Sequence, residues 1–321
     1  MTAPNLPTLT VVIPVYNEAA LLPTCVERVA QALADQPVQW QICFVDDGSR
    51  DASWSIIAQL ATSNPRVRGL KLSRNFGKEA ALTAGLDSVD ADACVVMDAD
   101  LQDPPELLPR FIEQWQAGHD VVYGLRVSRA GESWLKRSTA AAFYWLIARF
   151  ADTPIPRNTG DFRLMSRRAL EELKRLDERN RFMKGLFAWI GFPQIAVPYE
   201  RPPRAGGQSS WNYWRLWNFA LDGITSFTTL PLRLATYVGV LSALFAFCLG
   251  GWILFKTLVF GVDLPGYAST MLTMVFLGGV QLVALGIIGE YLGRLLLEVK
   301  RRPIYLLEQR VGSMEPTEPS Q

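Results

Sequence analysis

From residue 8 to residue 126 the chain alternates between short apolar, β-branched runs and amphipathic stretches. The runs read LTVVIPVY, WQICFVDD, VRGLKLS, ACVVMDAD and DVVYGL. Runs of this length without polar alternation are strands covered on both faces. The intervening stretches 19–35, 52–62 and 78–88 carry a helical pattern. Strands alternating with helices predict an α/β domain built on a mostly parallel sheet. In such sheets ligands gather beyond the carboxyl ends of the strands. Here those ends read Tyr16-Asn17-Glu18, Asp46-Asp47-Gly48-Ser49 and Asp98-Ala99-Asp100, three polar, acidic ends expected on one rim.

The pattern changes in the second half. Residues 234–260 carry one charge, Lys256, and residues 268–288 carry none, with apolar character continuing to Val299. Each run exceeds the roughly 20 residues that a helix needs to cross a hydrocarbon core of about 30 Å. Only the short GVDLPGY separates them, so they form a hairpin. Arg233 precedes the first span, and Arg294, Lys300, Arg301 and Arg302 follow or end the second, which puts both ends on the cytoplasmic side. Residues 134–150 and 211–232 mix Trp, Tyr and Phe with Arg and Lys, the composition of helices that lie in the headgroup layer. The polar tail after Leu307 reads as partly disordered.

Composition narrows the chemistry. A net charge of +1 offers no bulk attraction for nucleic acid or an acidic partner. The cysteines Cys25, Cys43, Cys94 and Cys248 lack metal-type or CxxC spacing and read as reduced thiols of a cytoplasmic environment. The single histidine, His119, stands in the polar sequence AGHD and reads as a surface loop residue, which leaves little room for a His-based triad and none for a multi-histidine metal site. The first residues lack the basic region and long apolar core of a signal peptide.

The run VVMDADLQDPPE ends a strand in three carboxylates. A hard divalent cation, Mg²⁺ or Mn²⁺, is the simplest relief for the repulsion between Asp98 and Asp100, and Gln102 could supply a further oxygen. Asp103 before Pro104-Pro105 reads as the N-cap of the next helix. Asn75-Phe76-Gly77-Lys78 reads as a turn near the same rim.

In order along the chain stand IPVYNEAALL (13–22), VDDGSRDAS (45–53), SRNFGKEAALTAGL (73–86), MDADLQDPPE and TGDFRLMSRRAL (159–170). Together they resemble the family 2 glycosyltransferases with the GT-A fold. Within that family the chain resembles the polyprenyl-phosphate glycosyltransferases, related to dolichol-phosphate mannose synthase, and its paired spans resemble the bactoprenol glucosyltransferase branch.

The resemblance implies a cytoplasmic, Rossmann-like GT-A catalytic domain over 1–210, an interfacial helix over 211–232, transmembrane helices over 233–260 and 268–297, and a cytoplasmic tail over 298–321. It implies inverting, metal-dependent transfer of a hexose, glucose first, from a UDP-sugar to undecaprenyl phosphate at the bacterial inner membrane. Membrane lipid and further copies of the chain, a tetramer among the options, would be partners. By the same resemblance Pro14, Tyr16, Glu18 and Asp47 lie beside the nucleoside, with Asp46 a neighbour. Asp98, Asp100 and Gln102 hold the metal and, through it, the donor diphosphate. Asp161 is the acceptor-side acid, Arg126 and Arg137 bind acceptor phosphate, and Arg204 meets the donor. Ser210-Trp211 departs from the Lys or Tyr that many relatives carry after that serine. N-acetylglucosamine, mannose or aminoarabinose are alternative sugars. A processive polysaccharide synthase would carry QxxRW, which Gln208-Ser209-Ser210-Trp211 lacks, and a non-catalytic membrane scaffold would not need Asp98, Asp100 and Asp161 intact.

Overall fold

The protein, represented by a computed structural model, is described over residues 6–127, 159–179, 181–200, 230–261 and 266–312. Its strands are β1 (Thr8–Val15), β2 (Gln39–Asp46), β3 (Val67–Leu72), β4 (Ala93–Val96), β5 (Val121–Arg126), β6 (Thr159–Ser166), β7 (Gln194–Tyr199) and β8 (Leu307–Val311). Its helices are α1 (Leu22–Leu33), α2 (Ser53–Ser63), α3 (Lys78–Asp87), α4 (Leu108–Gln116), α5 (Arg167–Lys174), α6 (Met183–Trp189), α7 (Leu230–Phe260) and α8 (Tyr267–Lys300). The five apolar runs thus become β1 to β5, each within a few residues of its predicted span.

The strands form one mixed sheet in the order β7-β5-β6-β4-β1-β2-β3-β8. β1 pairs in parallel with β2 on one side and β4 on the other. This is the switch point of a doubly wound sheet, where the helices after neighbouring strands leave to opposite faces and open a crevice. Two apolar cores cover the faces. Ile13, Phe44, Val95, Phe111 and Phe162 lie in one, and Val12, Val45, Leu82, Val96 and Phe187 in the other. Alternate residues of β1, β2 and β4 feed opposite cores, which is why those runs lack polar alternation.

β6, like β7 and β8, is a strand that the apolar runs did not announce. TGDFRLMS mixes Asp161 and Arg163 with apolar residues, yet all eight positions are buried. It runs antiparallel to both β4 and β5. Val96 pairs with Arg163, so the same register carried onward sets Asp161 opposite Asp98. An antiparallel strand therefore brings its first residues to the rim where the parallel strands end.

Helices α7 and α8 are long and apolar enough to cross a membrane, and none of their apolar windows is buried by protein. Phe247 is 81% exposed and Leu258 77%. A soluble core helix is excluded by that exposure, because apolar surface on this scale requires an apolar surrounding. α7 takes in residues 230–232, which the sequence reading placed in the preceding interfacial helix. Among the described residues, Cβ atoms at Gly239, Gly250, Gly251, Gly278 and Gly279 would meet nothing within 4 Å. The proposed interfacial segments 134–150 and 211–229 lie outside the described residues.

The stretch beyond Leu307, read from sequence as partly disordered, begins with an ordered strand. β8 pairs antiparallel with the edge strand β3, and the Ser73 N–H donates to the Leu306 carbonyl at 2.9 Å. Trp54 Nε1 donates to Gln309 Oε1 at 2.7 Å, and Lys71 lies 3.1 Å from Glu308. At the foot of α8 the Glu298 carboxylate accepts from the Arg179 N–H at 2.8 Å. The sequence misses this because the strand is polar on its exposed face. What orders it is an unpaired sheet edge elsewhere in the chain. The hairpin is thereby tied to the sheet at a fixed place.

Candidate active site

Three strand-end loops meet at the β1–β4 crevice, and they lace one another together. Asn17 donates its N–H to Ser49 Oγ at 3.0 Å and accepts from the Arg50 N–H at 2.8 Å. The Glu18 N–H donates to Ser53 Oγ at 3.0 Å, and the Ala19 N–H to Asp51 Oδ2 at 3.2 Å. The YNE and DDGSRDAS motifs are thus one surface. Pro14 is half-buried at the end of β1, and Tyr16 is exposed beyond it.

Asp47 reaches across to the next loop. Its two oxygens accept the N–H groups of Phe76 and Gly77 at 2.7 and 2.9 Å. The sequence reading gave Asp47 to the nucleoside; the structure adds the task of holding the NFGK turn. Asp46 is fully buried, accepts from the Ser49 N–H at 3.2 Å, and leaves Oδ2 without a partner. Burial pushes the pKa of both carboxyls upward.

The turn delivers Lys78, which opens α3. Its Nζ lies 2.5 Å from Asp98 Oδ1 and 2.6 Å from Asp161 Oδ2. The Lys78 side chain is 43% exposed, Asp98 22% and Asp161 9%. Burial alone would raise the pKa of Asp161, but the charges of Lys78 and Lys184 hold it well below the usual carboxylate range. Burial lowers that of Lys78, and Asp161 and then Asp98 outweigh it, keeping the ammonium charged. Glu79, next in sequence, is pushed up to about 7 by burial and by the Asp161 charge. The sequence offered one signal for Lys78, a lone cation after the turn motif, and spacing could not show where it points.

Asp103 corrects another expectation. Pro105–Leu107 forms a short 3₁₀ turn before α4, with no side-chain cap. The Asp103 carboxylate turns inward instead. Its Oδ2 accepts the Asp98 N–H at 3.3 Å, and its Oδ1 accepts from Tyr199 Oη at 3.0 Å. Tyr199 Oη in turn accepts from Arg126 Nε at 3.2 Å. Burial first, and the Asp98 charge second, push Asp103 up to about 6. Asp103 is structural, as read, but by bracing the DAD loop from beneath rather than by capping a helix. That loop is strained: Leu101 sits at φ 58, a left-handed conformation costly for a leucine, and its buried side chain holds it there. The Gln102 N–H closes the turn onto Asp100 Oδ1 at 3.1 Å.

Arg126 lies along the rim against Gly160, where a Cβ would come within 2.5 Å of its Nη2. Arg163 holds the start of β6 from behind: it donates to the carbonyls of Gly160 at 2.8 Å and Asp161 at 3.3 Å, with its guanidinium 3.7 Å over the Phe187 ring. The structure therefore gathers Asp98, Asp100, Gln102, Asp161 and Arg126 at one place, with Pro14, Tyr16, Glu18 and Asp47 along its other side. Arg137 and Arg204 lie outside the described residues.

Among the described residues no three His, Cys, Asp or Glu side chains converge as a metal cage. The donors present are two carboxylates and an amide of one short loop, with Asp161 Oδ1 buried and unpartnered beside them. This hard-oxygen set fits Mg²⁺ or Mn²⁺ bound by one or two carboxylates and completed by substrate phosphate.

A doubly wound sheet with an acidic, basic-lined rim at its switch point and an antiparallel strand crossing β4 is the GT-A fold of the nucleotide-sugar glycosyltransferases. Residues 10–174 match the family model described as glycosyl transferase family 2, and 230–295 match the GtrB C-terminal hairpin. The chain belongs to glycosyl transferase family 2 and is a glycosyltransferase. It is 49% identical over 304 residues to an uncharacterized glycosyltransferase, sll0501, of Synechocystis, covering 95% of this chain and 96% of that one. It is 48% identical to the bactoprenol glucosyl transferase of Shigella phage SfX, over 94% and 99% of the two chains. Identity to the prophage bactoprenol glucosyl transferase homolog of Escherichia coli is 45%, over 94% and 98%.

Proposed function

We propose that this protein transfers a hexose, glucose, from a UDP-sugar to a polyprenyl phosphate, undecaprenyl phosphate in bacteria, at the cytoplasmic face of the inner membrane. The observation that carries this is the meeting of Asp98 and Asp161 at one rim, in a domain stitched to a hairpin whose two exposed helices are long and apolar enough to cross a membrane. The names and coverage of the phage and Escherichia coli relatives support the lipid acceptor and the glucose.

Asp98, Asp100 and Gln102 would hold the divalent cation, which when bound supplies Lewis-acid stabilisation of the leaving nucleoside diphosphate. Pro14, Tyr16, Glu18 and Asp47 line the nucleoside side, and Arg204 is assigned to the donor. An acceptor oxygen attacks C1 of the sugar from the face opposite the diphosphate. The new O–C1 bond forms as the C1–O bond to the β-phosphate breaks, its electron pair leaves with UDP, and the anomeric centre inverts. Arg126 and Arg137 hold the acceptor phosphate.

Asp161 orients groups in this scheme more than it takes up a proton. A phosphate monoester has its second pKa at about 6 and arrives mostly ionised. A carboxylate already paired with Lys78 at 2.6 Å and held below its ordinary range is also a weak base. Asp161→Asn is expected to lower kcat by about 10- to 100-fold without abolishing transfer. The check is single-turnover transfer to undecaprenyl phosphate above pH 7, where total loss would establish base catalysis instead.

The assignment as a whole is tested with the full chain in nanodiscs, undecaprenyl phosphate and a panel of UDP-glucose, UDP-N-acetylglucosamine, UDP-galactose, GDP-mannose and an aminoarabinose donor. Mass spectrometry of the lipid should show a hexose added from UDP-glucose. A lipid left unglycosylated by every donor would sink the assignment.

A further inference from the structure

Lys78 binds no residue at random: its ammonium joins the first carboxylate of the DAD loop to the acidic residue of the facing strand. Those two carboxylates come from β4 and β6, and Asp100 and the buried Asp103 lie close behind them. Without a cation the carboxylates of this half-buried group repel one another. At 2.5 Å from Asp98 Oδ1 the ammonium engages one of the oxygens that a metal ion held by Asp98 could use. Lys78 is also the most exposed of the three, so its flexible stem can swing off Asp98 while the carboxylates stay. Two of its three N–H donors are spent on the carboxylates, which leaves one for an incoming phosphate oxygen.

We propose that Lys78 is a resident cation of the donor-free enzyme, which clasps Asp98 to Asp161 and yields Asp98 to the divalent ion when metal and nucleotide sugar bind. This rests on the reading of Asp98 and Asp100 as metal ligands. Lys78 is then a positioning residue. It keeps the acidic rim assembled before the donor arrives, and afterwards it stays on Asp161, within reach of the phosphates. Metal and ammonium compete for one oxygen, so the metal binds weakly alone and more strongly once the diphosphate supplies further ligands.

The probe is Mn²⁺, followed by its EPR signal and by calorimetry on the full-length protein in nanodiscs, with and without UDP. Lys78→Met is expected to tighten nucleotide-free Mn²⁺ binding by at least about tenfold while turnover falls by about tenfold or more. Lys78→Arg keeps the cation and should stay near the wild-type metal affinity. A structural lysine would not produce tighter metal binding together with slower turnover. Lys78→Gln answers the same question should Lys78→Met fail to fold. Mn²⁺ binding that is unchanged or weaker in the neutral variants overturns the proposal. Asp100→Asn separates the two ideas. If it removes Mn²⁺ binding while the neutral Lys78 variants bind no tighter, only the clasp is wrong. If Mn²⁺ binds Asp100→Asn as well as wild type, the metal site is misplaced and the clasp falls with it.

Discussion

Asp100→Asn is expected to lower turnover at least about a thousandfold, close to 4 kcal/mol of barrier, with the fold unchanged. The substitution removes the carboxylate charge and keeps the side chain's size and shape. Asp100 is 9% exposed, and its Oδ1 accepts the Gln102 N–H at 3.1 Å, a bond that the asparagine oxygen can keep. The turn that aims Asp98 should therefore survive, while the hard anionic ligand is gone. Asp98→Asn should cost a similar factor but for two reasons at once, because it also takes the negative charge from the partner that Lys78 meets at 2.5 Å. The measurement pairs kcat with the thermal melting profile and Mn²⁺ binding. Full activity in Asp100→Asn would remove the metal-holding role, and a collapsed melt would make the residue structural.

Gly48→Ala should be the most damaging single methyl group in the domain. Gly48 sits at φ 66, and a Cβ there would stand 2.5 Å from the Arg74 carbonyl carbon and 2.6 Å from the Asn75 nitrogen. Both are backbone atoms of the turn that Asp47 grips and that delivers Lys78, so neither can swing aside. We expect a loss of about 2–4 kcal/mol in stability, together with nearly complete loss of transfer, since relief of the clash moves Lys78. Gly118→Ala is the control. It shares a positive φ of 102 but would meet nothing within 4 Å, so only about 1 kcal/mol of backbone strain is expected there. Thermal unfolding of both variants decides it: equal losses would show that strain alone matters at Gly48 and that the close approach of the two motifs does not.

Much of this molecule was legible in the sequence because the informative patterns are local. A strand covered on both faces writes itself as a continuous apolar run, so β1 to β5 could be read directly. The acids at their ends followed from the chain's direction in a parallel sheet. The two lipid-length runs followed from composition. What escaped was set by partners far away in the chain. β8 is a polar stretch that becomes a strand because β3 has an unfilled edge. Asp103 read as a cap because a proline pair followed it, yet Tyr199 and the Asp98 backbone claim its oxygens.

By itself, then, the amino-acid sequence determined the α/β class, the acidic rim and the apolar C-terminal hairpin, since each depends on which residues stand within a few positions of one another. Tertiary structure alone decided that the third carboxylate of VVMDADLQDPPE braces the first, and that Lys78 stands between Asp98 and Asp161. Lys78 is 20 residues from the first and 83 from the second in the chain. The antiparallel register of β6 on β4 and the turn held by Asp47 bring all three within hydrogen-bonding distance. Charges meet through space, and no spacing along a chain records which of its distant carboxylates a cation will have to satisfy.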